Sequence, residues 1–225
     1  MLGSCQHTEL SLIAGSKQHQ FYAKGQYIFQ AGARVPGLYC VYQGKVKISK
    51  LSADGKEQII RLAREGDVLA YRSLMSGDIC TTTATALTDC VVCLVPRPDF
   101  FSLLEQNPQF THSLLRLLAQ NLGDAESRLL HTAYKPVRER LAEALLLLHR
   151  LFEPTTAATA AATTSKTAFS IPVSRDDLAA LTGTTKETAS RLLSDFRQEG
   201  LVTTQGSRIT IRQLDKLSQL ASRYD

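Results

Sequence analysis

Residues 184 to 196, TTKETASRLLSDF, place Lys, Glu, Ser and Arg close together on one side of a stretch with helical periodicity. Ala189, Leu192, Leu193 and Phe196 fall at i, i+3, i+4 and i+7 and form a single apolar stripe. Lys186, Glu187, Ser190 and Arg191 fall opposite that stripe, toward the N-terminal end. A guanidinium there can pair bidentately with guanine O6 and N7, and a carboxylate can accept from cytosine N4. The competing use is modest, since Glu187 and Arg191 are also spaced for a solvated i,i+4 pair worth only ~0.2–0.5 kcal/mol.

The surrounding elements decide between these uses. Ser174, with Asp177 three residues on, reads as a capping box that starts the helix SRDDLAALT, and Gly183 ends it. Thr184 with Glu187 reads as a second capping box that starts the next helix. Two helices joined through a glycine turn, with Ala179 inside the first, are a helix-turn-helix pattern, whose second helix enters the major groove. LVTTQGSRITI then reads as a hairpin turning at Gln205-Gly206, a wing. On this scaffold Glu187 and Arg191 are candidates for base contacts, with Ser190 on the same face, and Thr185, Lys186 and Arg175 for phosphate contacts near the helix N-terminus.

Upstream, residues 21 to 95 alternate short β-like runs (FYAKGQYIF, LYCVYQGKVKISKL, EQIIRLA, ATALTDCVVCLVP) with glycine turns. Gly44, Gly55, Gly66 and Gly77 recur at an 11-residue interval without repetition of what lies between. That pattern predicts an all-β barrel or sandwich rather than a solenoid. Pro96 and Pro98 close it, and Asn107-Pro108 opens a long helix. In that helix Leu115, Leu118, Leu122, Ala125 and Leu129 step by 3, 4, 3 and 4, a coiled-coil seam of the kind that takes one partner helix. Leu114, Leu117 and Leu130 widen the apolar surface, as expected of a helix touching both a second subunit and its own barrel. Lys135-Pro136 breaks the helix, VRERLAEALLLLHRLF forms another, and the Thr/Ala-rich stretch 153–168 reads as a surface loop.

Composition limits the alternatives. Hydrophobic residues make up 44% of the 225, enough for one or two closed cores, and 26 basic against 21 acidic residues favour a polyanionic partner only weakly. MLGSCQHTEL has no apolar run before Cys5, and LLLL at 145 to 148 is too short to span a bilayer, so a cytoplasmic protein with no membrane partner is expected. Five cysteines, at 5, 40, 80, 90 and 93, do not resemble a disulfide framework and are read as reduced. Cys90-x-x-Cys93 lies in a strand, where residues three apart point to opposite faces, so the pair should not share one metal ion. His112 and His131 are lone helical histidines with no partner pattern for haem. No P-loop, dinucleotide fingerprint, nucleophile elbow or H-E-x-x-H motif is present, which argues against an enzyme.

From about residue 9 to 223 the chain resembles the CRP/FNR bacterial transcription regulators, the family of the cyclic-AMP receptor protein and the fumarate and nitrate reduction regulator. The resemblance is carried by GDVLAYRSLMSGD, RERLAEALL and VSRDDLAALTGTTKETASRLLSDFRQEGLV. It implies an α+β fold with an N-terminal cyclic-nucleotide-binding-like β-roll of double-stranded, jelly-roll type at 1–106. A dimerisation helix would follow at 107–134, and a winged helix-turn-helix at 135–225. It further implies a homodimer on double-stranded DNA. Glu187, Ser190 and Arg191 match the E-x-x-S-R positions of the FNR-like branch, which reads TTGA-type half-sites.

An effector pocket would fall around Gly66, Asp67, Arg72, Gly77 and Asp78. Members that bind cyclic AMP open this cassette with Gly-Glu and later carry Arg-Ser, where this chain has Gly66-Asp67 and Gly77-Asp78. A phosphate would then meet a carboxylate instead of a guanidinium, which argues against cyclic AMP. The Thr-Ser pair that receives the adenine is Ala125-Glu126 here. Iron–sulfur sensing is disfavoured because Cys5 stands alone near the N-terminus. The effector is therefore left open, as a small molecule or a redox signal. Activation would require an RNA polymerase contact that one sequence does not locate. The alternative is a ligand-binding module whose winged helix contacts a protein.

Overall fold

In the computed structural model, which describes residues 18–153 and 169–222, the chain divides into two compact units, Met1–Ser127 and Arg128–Asp225. Cys5 and nearly all of the Thr/Ala-rich stretch lie outside the described residues.

The first unit is a roll of two four-stranded antiparallel sheets. One has the order β1 (Gln18–Tyr22), β8 (Cys90–Pro96), β3 (Gly37–Gln43), β6 (Val68–Leu69). The other has β2 (Tyr27–Phe29), β7 (Thr83–Ala86), β4 (Val46–Leu51), β5 (Glu57–Ala63). Leu38, Val46, Val68, Ala84 and Val92 are buried in the core between and around these sheets. The evenly spaced glycines are structural: Gly44, Gly55, Gly66 and Gly77 all have positive φ, which an L side chain adopts only with strain. At Gly44 a Cβ would lie 2.5 Å from both the Asp89 carbonyl oxygen and Cys90 Sγ. No other residue fits there without moving the backbone.

A short helix, α1 (Tyr71–Ser76), interrupts the strands, and α2 (Arg97–Gln106) closes the roll with Phe100 fully buried. The long helix α3 (Pro108–Tyr134) starts where the sequence places it. Asn107 Oδ1 accepts from the Phe110 amide at 2.9 Å, and Pro108, with no amide hydrogen to satisfy, occupies the first turn. Phe110 and Leu114 are buried in the roll's core and Leu117 and Leu118 pack against it. Of the expected seam, Leu118 is therefore engaged by its own roll, whereas Leu115, Leu122, Ala125 and Leu129 are exposed in the single chain. The border between the two compact units falls inside α3, after Ser127.

The second unit contains α4 (Val137–Phe152), β9 (Ile171–Pro172), α5 (Arg175–Thr182), α6 (Lys186–Gln198), the hairpin β10 (Val202–Gln205) and β11 (Arg208–Ile211), and α7 (Leu214–Ala221). Leu141, Leu145, Leu148, Leu178, Phe196 and Leu217 close its core. The three strands form one small sheet in the order β10-β11-β9. Lys135 is buried between α3 and α4, where its ammonium donates to the Ala221 carbonyl at 3.1 Å.

Candidate nucleic-acid interface and effector cassette

Helix α5 is capped by Ser174, whose hydroxyl accepts from the Asp177 amide at 2.9 Å and donates to the Asp177 carboxylate at 2.6 Å. It ends at Gly183, φ 70°, whose amide bonds back to the Ala179 carbonyl at 2.9 Å. Thr184 also donates to Ala179, at 3.1 Å. The turn therefore uses Thr184 to finish the first helix, which corrects the expected start of the second. Its N-cap is Thr185, whose hydroxyl accepts from the Thr188 amide at 3.3 Å, and no Thr184–Glu187 capping box forms. The capping-box spacing fitted either threonine, and the demands of the glycine turn choose the later one.

This one-residue shift leaves the polar face where it was expected. Ala189, Leu193 and Phe196 are buried and Leu192 is half-buried, so the apolar stripe faces the unit's own core. Arg138 stacks over the Phe196 ring at 4.8 Å and binds the Glu199 carboxylate at 2.6–2.7 Å, clamping α4 onto the far end of α6. Glu187 and Arg191 are exposed, and the i,i+4 ion pair open to them is not made among the described residues. Ser190 is half-buried beside them. Lys186 holds Asp176 of α5 at 2.9 Å in an exposed pair.

Arg175 is placed differently from the other assigned contacts. It is half-buried, its Nη2 donates to the Gly206 carbonyl of the wing turn at 3.1 Å, and its Nη1 is buried without a partner among the described residues. Burial draws its pKa below the ordinary arginine value. Its guanidinium ties the start of α5 to the wing rather than projecting from the surface. The wing turn is also one residue later than expected: Gln205 pairs with Arg208, so Gly206-Ser207 form the two-residue loop, with Gly206 at φ 59°.

In the roll, Gly66 and Asp67 form the tight turn between β5 and β6, where Asp67 Oδ2 accepts from the Arg64 amide at 2.9 Å. Arg61 lies 4.0 Å from the other carboxylate oxygen. Arg61 also donates to the Val68 carbonyl at 3.2 Å and to the Tyr71 hydroxyl at 3.4 Å. Ala70 enters α1 in the left-handed region, φ 66°, and turns Tyr71 inward and Arg72 outward. The Tyr71 hydroxyl accepts from Asn121 Nδ2 of α3 at 2.7 Å. Sequence reasoning missed this Arg61–Tyr71–Asn121 connection: GDVLAYRSLMSGD contains Tyr71, but 50 residues separate it from Asn121, which no quoted motif includes.

Arg72, Gly77 and Asp78 are all exposed. Asp67 is engaged by its own turn, and Asp78 presents an exposed carboxylate. Among the described residues no group of His, Cys, Asp and Glu is arranged to hold a metal ion. Cys90 and Cys93 are both buried and have different partners: Cys90 Sγ lies against the Lys45 and Thr88 carbonyls, and Cys93 Sγ lies against His19. No helix among the described residues is long and apolar enough to cross a membrane.

A β-roll followed by a long helix and a winged helix-turn-helix defines a class, the one-chain transcription regulators that join a cyclic-nucleotide-binding-like domain to a DNA-binding one. Residues 19–107 match the cyclic nucleotide-binding domain family, and residues 139–220 match the Crp-like helix-turn-helix domain family. The chain is 31% identical to the fumarate and nitrate reduction regulatory protein of Escherichia coli over 198 residues, 88% of this chain and 76% of that protein. It is 28% identical to the cyclic AMP receptor protein of Thermus thermophilus over 218 residues, 95% of this chain and 92% of that one. Among solved structures, FixK2 from Bradyrhizobium japonicum superposes with a TM-score of 0.74 at 28% identity, covering 91% of this chain and 96% of that one. The chain belongs to the CRP/FNR family of transcription regulators.

Proposed function

We propose that this regulator acts as a cytoplasmic homodimer that binds a palindromic DNA site with TTGA-like arms and is gated by an effector in the roll. The observation that carries the reading is the outer face of α6: Glu187 and Arg191 stand exposed, without an ion pair among the described residues, on a capped, core-anchored helix. In this reading Arg191 takes guanine O6 and N7, Glu187 accepts from cytosine N4, and Ser190 packs beside them. Thr185 and Lys186 meet phosphate at the helix N-terminus, with Arg175 adding its charge from beside the wing.

The homodimer is supported by Leu115, Leu122 and Leu129, which recur at heptad spacing on α3 and are 53%, 62% and 72% exposed in the single chain. Two recognition helices related by such a seam dock in successive major grooves if their centres lie about 34–36 Å apart. RNA polymerase is the partner that activation would add. Cyclic AMP is not the effector this cassette suits, because Gly77-Asp78 stands where the members that bind it carry Arg-Ser, and a carboxylate there opposes a phosphate.

The test is a salt titration of affinity for a palindromic TTGA duplex. A DNA-binding face predicts that log K falls linearly with log salt, with a slope of about −0.9 for each phosphate neutralised. A flat dependence, with no preference for the palindrome over random duplex, would turn the winged helix into a surface for a protein partner.

A further inference from the structure

The sheet β1-β8-β3-β6 carries a group of residues that DNA binding does not use. Tyr39 on β3 points toward the other sheet, where its ring meets Phe29 at a centroid distance of 5.5 Å. The next residue, Cys40, therefore points to the opposite side of its sheet. Cys40 stands directly across from Cys93 on β8, and Cys93 stands directly across from His19 on β1. Three adjacent strands thus place Cys40, Cys93 and His19 in one row on one face.

Residues directly opposed in an antiparallel pair have Cα atoms about 4.5–5.5 Å apart. Disulfides usually span roughly 4.4–6.8 Å between Cα atoms, so the backbone already holds Cys40 and Cys93 at bonding range. Both are thiols in the structure, and both are buried, at 4% and 6% exposure. Cys93 Sγ lies 3.4 Å from His19 Nδ1, and the His19 side chain is exposed.

Cys90, on the same strand, provides an internal contrast. Its thiol faces the Lys45 and Thr88 carbonyls at 3.3 and 3.2 Å, its cross-strand neighbour is Tyr22, and burial pushes its pKa up. It has neither a base nor a second sulfur across the ladder.

We propose that Cys40 and Cys93 are a reversible disulfide site whose oxidant is a hydroperoxide, with His19 as the base for Cys93. His19 Nδ1 takes the Cys93 thiol proton, and the thiolate attacks one peroxide oxygen. The O–O bond breaks, Cys93 becomes a sulfenic acid, and the departing oxygen takes up a proton and leaves as water or an alcohol. The Cys40 sulfur then attacks the Cys93 sulfur, the S–O bond breaks, and the hydroxide leaves as water with the Cys40 proton. Each cysteine sulfur gives up one electron, and the peroxide accepts both. A thiol reductant reverses the bond by exchange. The site gives the roll a chemical means of registering a peroxide, and this chemistry does not depend on what α6 binds.

The experiment treats the folded full-length chain with hydrogen peroxide, quenches it with an alkylating agent under denaturing conditions, and maps the peptides by mass. The expected result is one cross-linked species joining the Cys40 and Cys93 peptides, unalkylated at both, and lost on dithiothreitol treatment, with Cys90 still alkylated. His19→Ala should slow its formation by about a hundredfold, the scale of general-base assistance, and added imidazole should restore part of the rate. Alkylation of both Cys40 and Cys93 after peroxide would overturn the proposal, as would oxidation of Cys93 to a sulfinic acid beside an alkylated Cys40. An unchanged rate in His19→Ala, or no response to imidazole in a slowed variant, would remove His19 as the base.

Discussion

The recognition helix and the effector cassette both expose charged side chains near a helix start, yet the structure treats them in opposite ways. On α6 a hydroxyl cap closes the helix start and Ala189, Leu193 and Phe196 anchor the apolar stripe, so Glu187 and Arg191 are left over, facing outward. In the cassette two charges are taken up by the fold, Asp67 by its own turn and Arg61 by Val68 and Tyr71, while Arg72 and Asp78 stay exposed. Polar groups consumed by the fold explain the fold. Those that a rigid element leaves unsatisfied are available to a partner. By that criterion α6 is a finished surface, whereas the Asp67–Arg61–Tyr71–Asn121 part of the cassette is a joint between the strands and the long helix.

The largest expected effect comes from doubling the α6 surface. Leu122→Glu should give a monomer by sedimentation and weaken binding to a palindrome by about 10²–10⁴-fold, because the second half-site is then no longer held at high effective concentration. A dimer that survives the change would sink the seam assignment. Arg191→Ala should cost about 1–3 kcal/mol of affinity and relax preference at one base pair, without altering thermal stability. Equal weakening on every sequence would make Arg191 a phosphate contact instead.

The cassette should respond in the opposite sense. Tyr71→Phe leaves Asn121 Nδ2 without the acceptor it has now, so the unfolding free energy in denaturant titration should fall by about 1–3 kcal/mol. Base preference should not change. A shift in preferred sequence without loss of stability would erase the distinction between joint and surface. The smallest effect sharpens the boundary of the α6 surface: Thr185→Ala should destabilise by about 1 kcal/mol through loss of the cap, and Thr184→Ala by less. The reverse order would restore the capping box that the glycine turn displaces.

Much of this architecture was legible in the chain. Glycine spacing marked the turns of the roll, Asn107-Pro108 and Lys135-Pro136 bracketed the long helix, and the helical period separated the buried from the exposed side of α6. These are local signals, set by backbone conformation and periodicity. What escaped were consequences of long-range register. Thr184 rather than Thr185 looked like the cap because the demand of Gly183 on the preceding carbonyls is not visible in spacing alone. Spacing assigns Arg175 to phosphate and does not show its bond to the wing, because the acceptor is 31 residues away in sequence. Leu118 belongs to the seam by spacing, and the contact it also makes with the roll is not visible in that spacing. Cys40 opposite Cys93 could not be read at all, since strand pairing across the chain is fixed only when the sheets close.

The most direct test of the central claim, that the outward face of α6 reads bases, is selection of binding sites from a random duplex library with protein purified in air and no added ligand. The account predicts enrichment of a palindrome with TTGA-like arms, and loss of the G·C preference in those arms when Arg191→Ala is selected in parallel. The same palindrome, enriched with the same base preference by both proteins, would contradict it.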